Sequence, residues 1–139
     1  MFGERLSNAF EEVFQLGYQG VIAVGNDSPE LGSTDFNQVA SQLIEGGCVL
    51  GPSLRGGAYL IGLTKDSFNK RSFESLPWQS ANLFDALEEQ LTTTHVMVTQ
   101  LKRLRDVNSL HDFLALTKSV FLPLGFQKWI LNFLSESLA

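Results

Sequence analysis

Cysteine is nearly absent from this chain: Cys48 is the only one in 139 residues. An intrachain disulfide and a cysteine-rich zinc site are therefore excluded. Cys48 stands in the apolar run Cys48-Val49-Leu50, where a buried thiol is the expectation. Histidine is scarce as well, with only His95 and His111, far apart in the chain. A histidine metal centre has little to build on, and a Ser-His-Asp nucleophile lacks the supporting GxSxG turn. No stretch approaches the roughly 18 apolar residues of a membrane-spanning helix. The start Met1-Phe2-Gly3-Glu4-Arg5 has no apolar signal run. A cytoplasmic protein without a membrane partner is expected on these absences.

Positive charge is also in deficit. Ten Lys and Arg stand against fifteen Asp and Glu, a net charge of −5. General nucleic-acid binders neutralise phosphates with clustered cations, so no nucleic-acid partner is expected. The one basic cluster, Lys102, Arg103 and Arg105, runs directly into Asp106. Neither a GxxxxGK[ST] phosphate loop nor a GxGxxG fingerprint occurs, which argues against a P-loop hydrolase and an ordinary dinucleotide-binding domain. Charged residues make up 18% of the chain, against about 25% in a typical domain. A homodimer, with some surface covered by a second subunit, is the expectation.

What is present is globular. The hydrophobic fraction is 44%, and the length suits one domain over residues 1–139. Leu6, Ala9, Phe10, Val13 and Phe14 recur at helical spacing, and Gly17 ends that helix. Val21-Ile22-Ala23-Val24 reads as a strand buried on both faces, closed by Gly25. A second helix carries Phe36, Val39, Ala40, Leu43 and Ile44, capped by Ser33 or Thr34, and stops at Gly46-Gly47. Strands follow at Cys48–Leu50 and Ala58–Leu63. The link between them is too short for a parallel crossover, so this pair is antiparallel or not adjacent. Then come a helix over Leu83–Leu91, a strand near Val96–Val98, a helix from Leu110 and a final helix after Pro123. Alternation of this kind predicts an α/β fold of three layers, with helices on both faces of a mostly parallel sheet.

Three loops carry candidate chemistry. Gly25-Asn26-Asp27-Ser28-Pro29 follows the first strand, at the sheet edge where open α/β folds bind ligands. Asp27 offers hard oxygen for Mg²⁺ or Mn²⁺; a locally capped turn is the alternative. Ser53-Leu54-Arg55-Gly56-Gly57 lets backbone approach a ligand closely, and Arg55 suits phosphate oxygens; the alternative is a flexible turn before a strand. Arg105-Asp106-Val107-Asn108-Ser109 offers a second carboxylate, or a helix cap in which Asp106 pairs with Arg103 or Arg105. Trp78, after Pro77, either stacks on a ring of a ligand or anchors packing.

Four segments together resemble the glycosyltransferase-like family of domain of unknown function 2064, also called radical-SAM/selenodomain-associated transferase 1. It is part of the GT-A nucleotide-diphospho-sugar transferase superfamily. Gly3-Glu4-Arg5-Leu6 with Ala9-Phe10 resembles "GERL…AF". Gly25-Asn26-Asp27-Ser28-Pro29-Glu30-Leu31 resembles "GSDCPDL". Val49 to Leu63 resembles "VLGPAxDGGYYLIGL", and Leu104-Arg105-Asp106-Val107-Asn108-Ser109 with Asp112-Phe113 resembles "LxDVDTxxDL". Pro77-Trp78 matches too, and the similarity runs from about residue 2 to residue 118. The resemblance implies a partial GT-A fold binding a nucleotide-sugar with a divalent metal, Mg²⁺ or Mn²⁺. Asp27 would hold the metal, and Asp106 would be the catalytic carboxylate near it. Asn26, Arg55, Gly56, Gly57 and Trp78 would contact substrate.

Family members begin with a further strand and a loop resembling "FxKxPxxGxxKTRL", where base and phosphates sit. A homodimer, or a partner supplying that nucleotide-binding segment, is therefore expected. Arg55 stands where the family usually has Asp, Ala58 where it often has Tyr, and Asn108 where it often has Asp. Two functions follow as expectations. A transferase places Asp27 and Asp106 together beside an open cleft. A non-catalytic GT-A remnant, acting as a structural or partner subunit, pairs Arg55 with Asp27 or a neighbour and closes the cleft.

Overall fold

The computed structural model describes residues 1–25, 27–107 and 109–116, with isolated positions at 125, 127–129, 132 and 136. Helix α1 spans Phe2–Gln15 and buries Gly3, Ser7, Phe10 and Phe14. These recur at three and four residues, one stripe of a 3.6-residue helix. The stripe includes Gly3 and Ser7 but not Ala9, which is exposed. Ser7 is accommodated because its hydroxyl donates to the Glu4 carbonyl and to Glu74 Oε1, at 3.1 and 2.6 Å. Gly17, at φ +104°, turns the chain into strand β1, Gly20–Val24.

Helix α2, Ser33–Ile44, starts from Gly32, whose N–H donates to Asp35 Oδ2 at 2.8 Å. The cap thus comes from the carboxylate of the third helical residue, not from Ser33 or Thr34. Strands β2, Cys48–Pro52, and β3, Ala58–Thr64, follow with five residues between them. Short helical turns at Lys65–Ser67 and Lys70–Glu74 (α3) lead to α4, Leu83–Thr93. Strand β4 is Val98–Gln100 and helix α5 is Leu110–Ala115. The final helix expected after Pro123 lies largely outside the described residues.

The sheet order is β1-β3-β2-β4. β3 runs antiparallel to both β1 and β2, and only β2 and β4 pair in parallel. The expectation of a mostly parallel sheet is thereby overturned: the sheet is mixed and mainly antiparallel. The cause is the short link at 53–57. It forces β3 to fold back on β2, and β3 then takes the place between β1 and β2 where a parallel neighbour would sit. β1 consequently lies at an edge, and its residues are only half-buried. They are not enclosed on both faces as the apolar run suggested.

Helices do cover both faces. Phe10, Phe14, Phe73, Leu83, Leu87 and Leu91 pack with Cys48, Leu50, Ile61 and Leu63 on one side. Val39 of α2 packs with Val49, Tyr59, Leu60, Leu101 and Leu104 on the other. Tyr59 owes its place on the second face to a bulge. Gly51 pairs with Leu60 and Pro52 with Ala58, so Tyr59 is the extra residue. Gly51 leaves room for its ring, since a Cβ there would lie 2.5 Å from ring carbons. The Tyr59 hydroxyl donates to the Lys102 carbonyl at 2.7 Å. Burial, reinforced by the negative charge of Asp35, pushes the Tyr59 pKa well above the usual tyrosine value.

Candidate functional site

β1, β2 and β4 point the same way, so the loops that leave them gather at one edge of the sheet. Backbone hydrogen bonds lock these loops together. Gly25 N–H donates to the carbonyl of the bulged Tyr59 at 2.9 Å, and Val107 N–H donates to the Asp27 carbonyl at 2.8 Å. Leu104 N–H donates to the Pro52 carbonyl, and Leu54 N–H donates to the Leu104 carbonyl, both at 3.0 Å. The segment after β4 thus continues alongside β2 and delivers Asp106 to the edge.

A cleft of about 840 Å³ opens there. Asp27, Arg55, Gly57 and Asp106 line one part of it, and Phe2, Leu6 and Trp78 line another. The structure brings five of the residues singled out from sequence into this cleft: Asp27, Arg55, Gly57, Trp78 and Asp106. Asn26 lies outside the described residues. Gly56 faces a smaller neighbouring pocket that Arg55 also lines. At φ +87° its backbone packs against Ala81, where a Cβ would collide with the carbonyl. Its carbonyl accepts from Phe84 N–H at 2.9 Å, so Gly56 ties the loop to α4. At Gly57 a Cβ would meet nothing within 4 Å.

The two carboxylates of the cleft are held differently. Asp106 Oδ1 accepts the hydroxyls of Ser28 and Ser53 at 3.3 and 3.2 Å. These bonds fix its rotamer and leave Oδ2 uncommitted among the described residues. Ser28 and Ser53 were not picked out as site residues from sequence. They sit one residue after Asp27 and two residues before Arg55, and nothing in a loop serine marks it as a carboxylate clamp. The Asp27 carboxylate is exposed and has no hydrogen bond or ion pair among the described residues.

Arg55 does not neutralise Asp27. Its Nη2 lies 2.7 Å from Asp112 Oδ1, and Nη1 reaches the Asp106 carbonyl at a long 3.4 Å. Asp112 is fully buried and also accepts from Arg105 Nη1 at 2.9 Å. Asp106 pairs with neither Arg103 nor Arg105. Sequence reasoning named Asp112 within a resembling segment but gave it no role, although Ser109 three residues before it forms a capping pattern. The Ser109 hydroxyl accepts from Asp112 N–H at 3.2 Å.

Trp78 serves packing and cleft together. Its Nε1–H donates to the Phe73 carbonyl at 2.8 Å, and its ring lies 4.8 Å from that of Phe73 and 5.6 Å from that of Phe2. It is half-buried, and part of the ring surface faces the cleft. Among the described residues no three His, Cys, Asp or Glu side chains cluster as a complete metal-binding set. Among them also, no helix is long and apolar enough to cross a membrane.

No curated protein matches the chain. It superimposes on the crystal structure of a candidate nucleotide-diphospho-sugar transferase from Desulfovibrio desulfuricans G20 with a TM-score of 0.78 and 30% sequence identity. The alignment covers 85% of this chain and 51% of that one, so the chain spans about half the length of this relative. The family model described as "Uncharacterized protein conserved in bacteria (DUF2064)" matches residues 1–80. That match includes the loops of Asp27 and Arg55 and reaches Trp78; Asp106 lies beyond it. With more than half of its residues matched, the chain belongs to the DUF2064 family, and its fold is kin to that of the nucleotide-diphospho-sugar transferases.

Proposed function

We propose that the cleft binds a nucleotide-activated sugar with a divalent cation and presents the sugar for transfer to an acceptor. The observation that carries this reading is the Asp27 carboxylate, without a partner among the described residues, sharing an open cleft with Asp106, which Ser28 and Ser53 hold. An exposed carboxylate in an open cleft, with no cation paired to it among the described residues, suits a cation that arrives with its ligand. Mg²⁺ and Mn²⁺ take hard oxygen ligands, and Mg²⁺ commonly uses one or two carboxylates, with phosphates and water completing the shell. Two carboxylates therefore fit such an ion, although they would not make an all-protein cage.

Asp27 would hold the cation, with Asp106 Oδ2 beside it. When bound, the cation would supply the charge that neutralises a diphosphate leaving group. Asp106, held by the Ser28 and Ser53 hydroxyls, would accept a hydrogen bond from an acceptor hydroxyl and take its proton. Gly57 allows the ligand to approach the backbone. Trp78 and Phe2 would offer an apolar wall to the ligand's other end.

A second reading, a non-catalytic partner subunit, draws on two observations. The chain spans about half of its solved relative, and among the described residues β1 leaves one sheet edge unpaired. A second copy or a partner chain would cover that edge. Calorimetric titration of UDP, GDP and CDP, with and without Mn²⁺, separates the two. The transferase reading expects Mn²⁺-dependent binding that Asp27→Ala abolishes. A folded protein silent towards all three nucleotides would favour the partner subunit.

A further inference from the structure

Arg55 and Arg105 converge on a single carboxylate oxygen. Arg55 Nη2 and Arg105 Nη1 lie 2.7 and 2.9 Å from Asp112 Oδ1. Asp112 is 0% exposed, whereas the Arg55 side chain is 54% exposed and that of Arg105 30%. Among the described residues, two guanidinium ions meet this one carboxylate. A buried carboxylate stripped of its cation is strongly destabilising, so one of the two arginines is indispensable. The other is not. Arg105 alone supplies a charge-assisted bond to Oδ1, and the Ser109 hydroxyl holds Oδ2 at 3.1 Å.

The more exposed arginine is the one that lines the cleft beside Asp27 and Asp106. A guanidinium has five N–H donors. Arg55 engages two of them, one over 3.4 Å, which is a weak contact. Both other ionised groups of the cleft are negative, so a phosphorylated ligand meets repulsion there unless cations answer it. We infer that Arg55 exchanges its Asp112 contact for phosphate oxygens of the ligand, while Arg105 and Ser109 keep the buried carboxylate in place. This rests on reading the cleft as a diphosphate site. It adds a phosphate-binding residue and a division of labour: Arg55 serves the ligand and Arg105 serves the fold.

The test combines calorimetry with thermal melts on the wild type, Arg55→Ala, Arg55→Lys and Arg105→Ala. The probes are UDP, GDP and CDP, and inorganic pyrophosphate as a probe independent of the base, all with Mn²⁺. Arg55→Ala is expected to weaken pyrophosphate and the bound nucleotide by about tenfold or more, with a melting point close to wild type. Arg55→Lys should recover part of that affinity, because it keeps the charge but loses the fork. Arg105→Ala should lower the melting point far more than Arg55→Ala does. Wild-type affinity in Arg55→Ala, alongside loss in Asp27→Ala, would overturn the role of Arg55 and leave the donor-site reading standing. An Arg55→Ala protein that melts as low as Arg105→Ala, or fails to fold, would overturn the division of labour. Absence of binding by folded wild type to every probe would overturn both readings.

Discussion

The two ends of the cleft are built on different principles. The aromatic end is an extension of the folding core. Trp78 packs at a tilt against Phe73, Phe73 contacts Phe10 and Phe68, and Phe10 contacts Phe14. Substitutions there disturb a continuous buried cluster. The ionic end is assembled from loops whose backbone bonds to one another do not involve the charged tips. Asp27 is held by its carbonyl, not by its carboxylate. On the proposed function, stability and ligand recognition are separable at one end and fused at the other.

The largest effect should come from the fused end. Phe73→Ala removes a ring that is 2% exposed, which typically costs about 3–5 kcal/mol. Denaturant unfolding should show a midpoint shift of that size. A loss below about 1 kcal/mol would mean that the aromatic cluster is not part of the core.

The adjacent glycines sharpen the contrast within one loop. Gly56→Ala forces φ +87° on an alanine and drives its Cβ into the Ala81 backbone, so a loss of about 2 kcal/mol or more is expected. Gly57→Ala should stay within about 0.5 kcal/mol, because its Cβ meets open space. Equal losses at the two positions would contradict the placement of this turn.

Tyr59 links the regions, since its ring is in the core and its carbonyl holds Gly25. Its folded pKa is raised, so above the ordinary tyrosine value the unfolded chain loses this proton while the folded chain keeps it. Stability should therefore fall above about pH 10 by up to about 1.4 kcal/mol per pH unit. Tyr59→Phe should flatten that slope relative to wild type. An unchanged slope would mean that other groups carry the alkaline loss.

The smallest effect on stability should come from Asp27→Ala, within about 0.5 kcal/mol, because the carboxylate has no described partner to lose. A thermal melt several degrees below wild type would show that Asp27 carries weight in the fold, and the contrast between the two ends would fail.

Much of this was legible in the sequence, for identifiable reasons. Helical spacing located α1, α2 and α4, and the short link at 53–57 excluded a parallel pairing of β2 with β3, which the structure pairs antiparallel. The parallel bias failed because alternation of helices and strands does not reveal that β3 inserts between β1 and β2. Polar residues after apolar runs pointed to Asp27, Arg55 and Asp106, and all three line one cleft. The partners that hold them were not visible. Ser28 and Ser53 resemble any turn serine, and Asp112 lies 57 positions from Arg55, a separation that no local pattern encodes. The Gly56-Gly57 pair likewise conceals two roles, because the collision with Ala81 exists only after α4 has packed.

Electron paramagnetic resonance of Mn²⁺ tests the central claim most directly, with wild type and Asp27→Ala titrated in the presence of the nucleoside diphosphate that binds best. The account predicts that wild type takes up Mn²⁺ stoichiometrically with the nucleotide, and that folded Asp27→Ala leaves the ion in solution with nucleotide alone. Equal uptake by the two proteins would contradict it, since the cation would then be held somewhere other than the ionic end of this cleft.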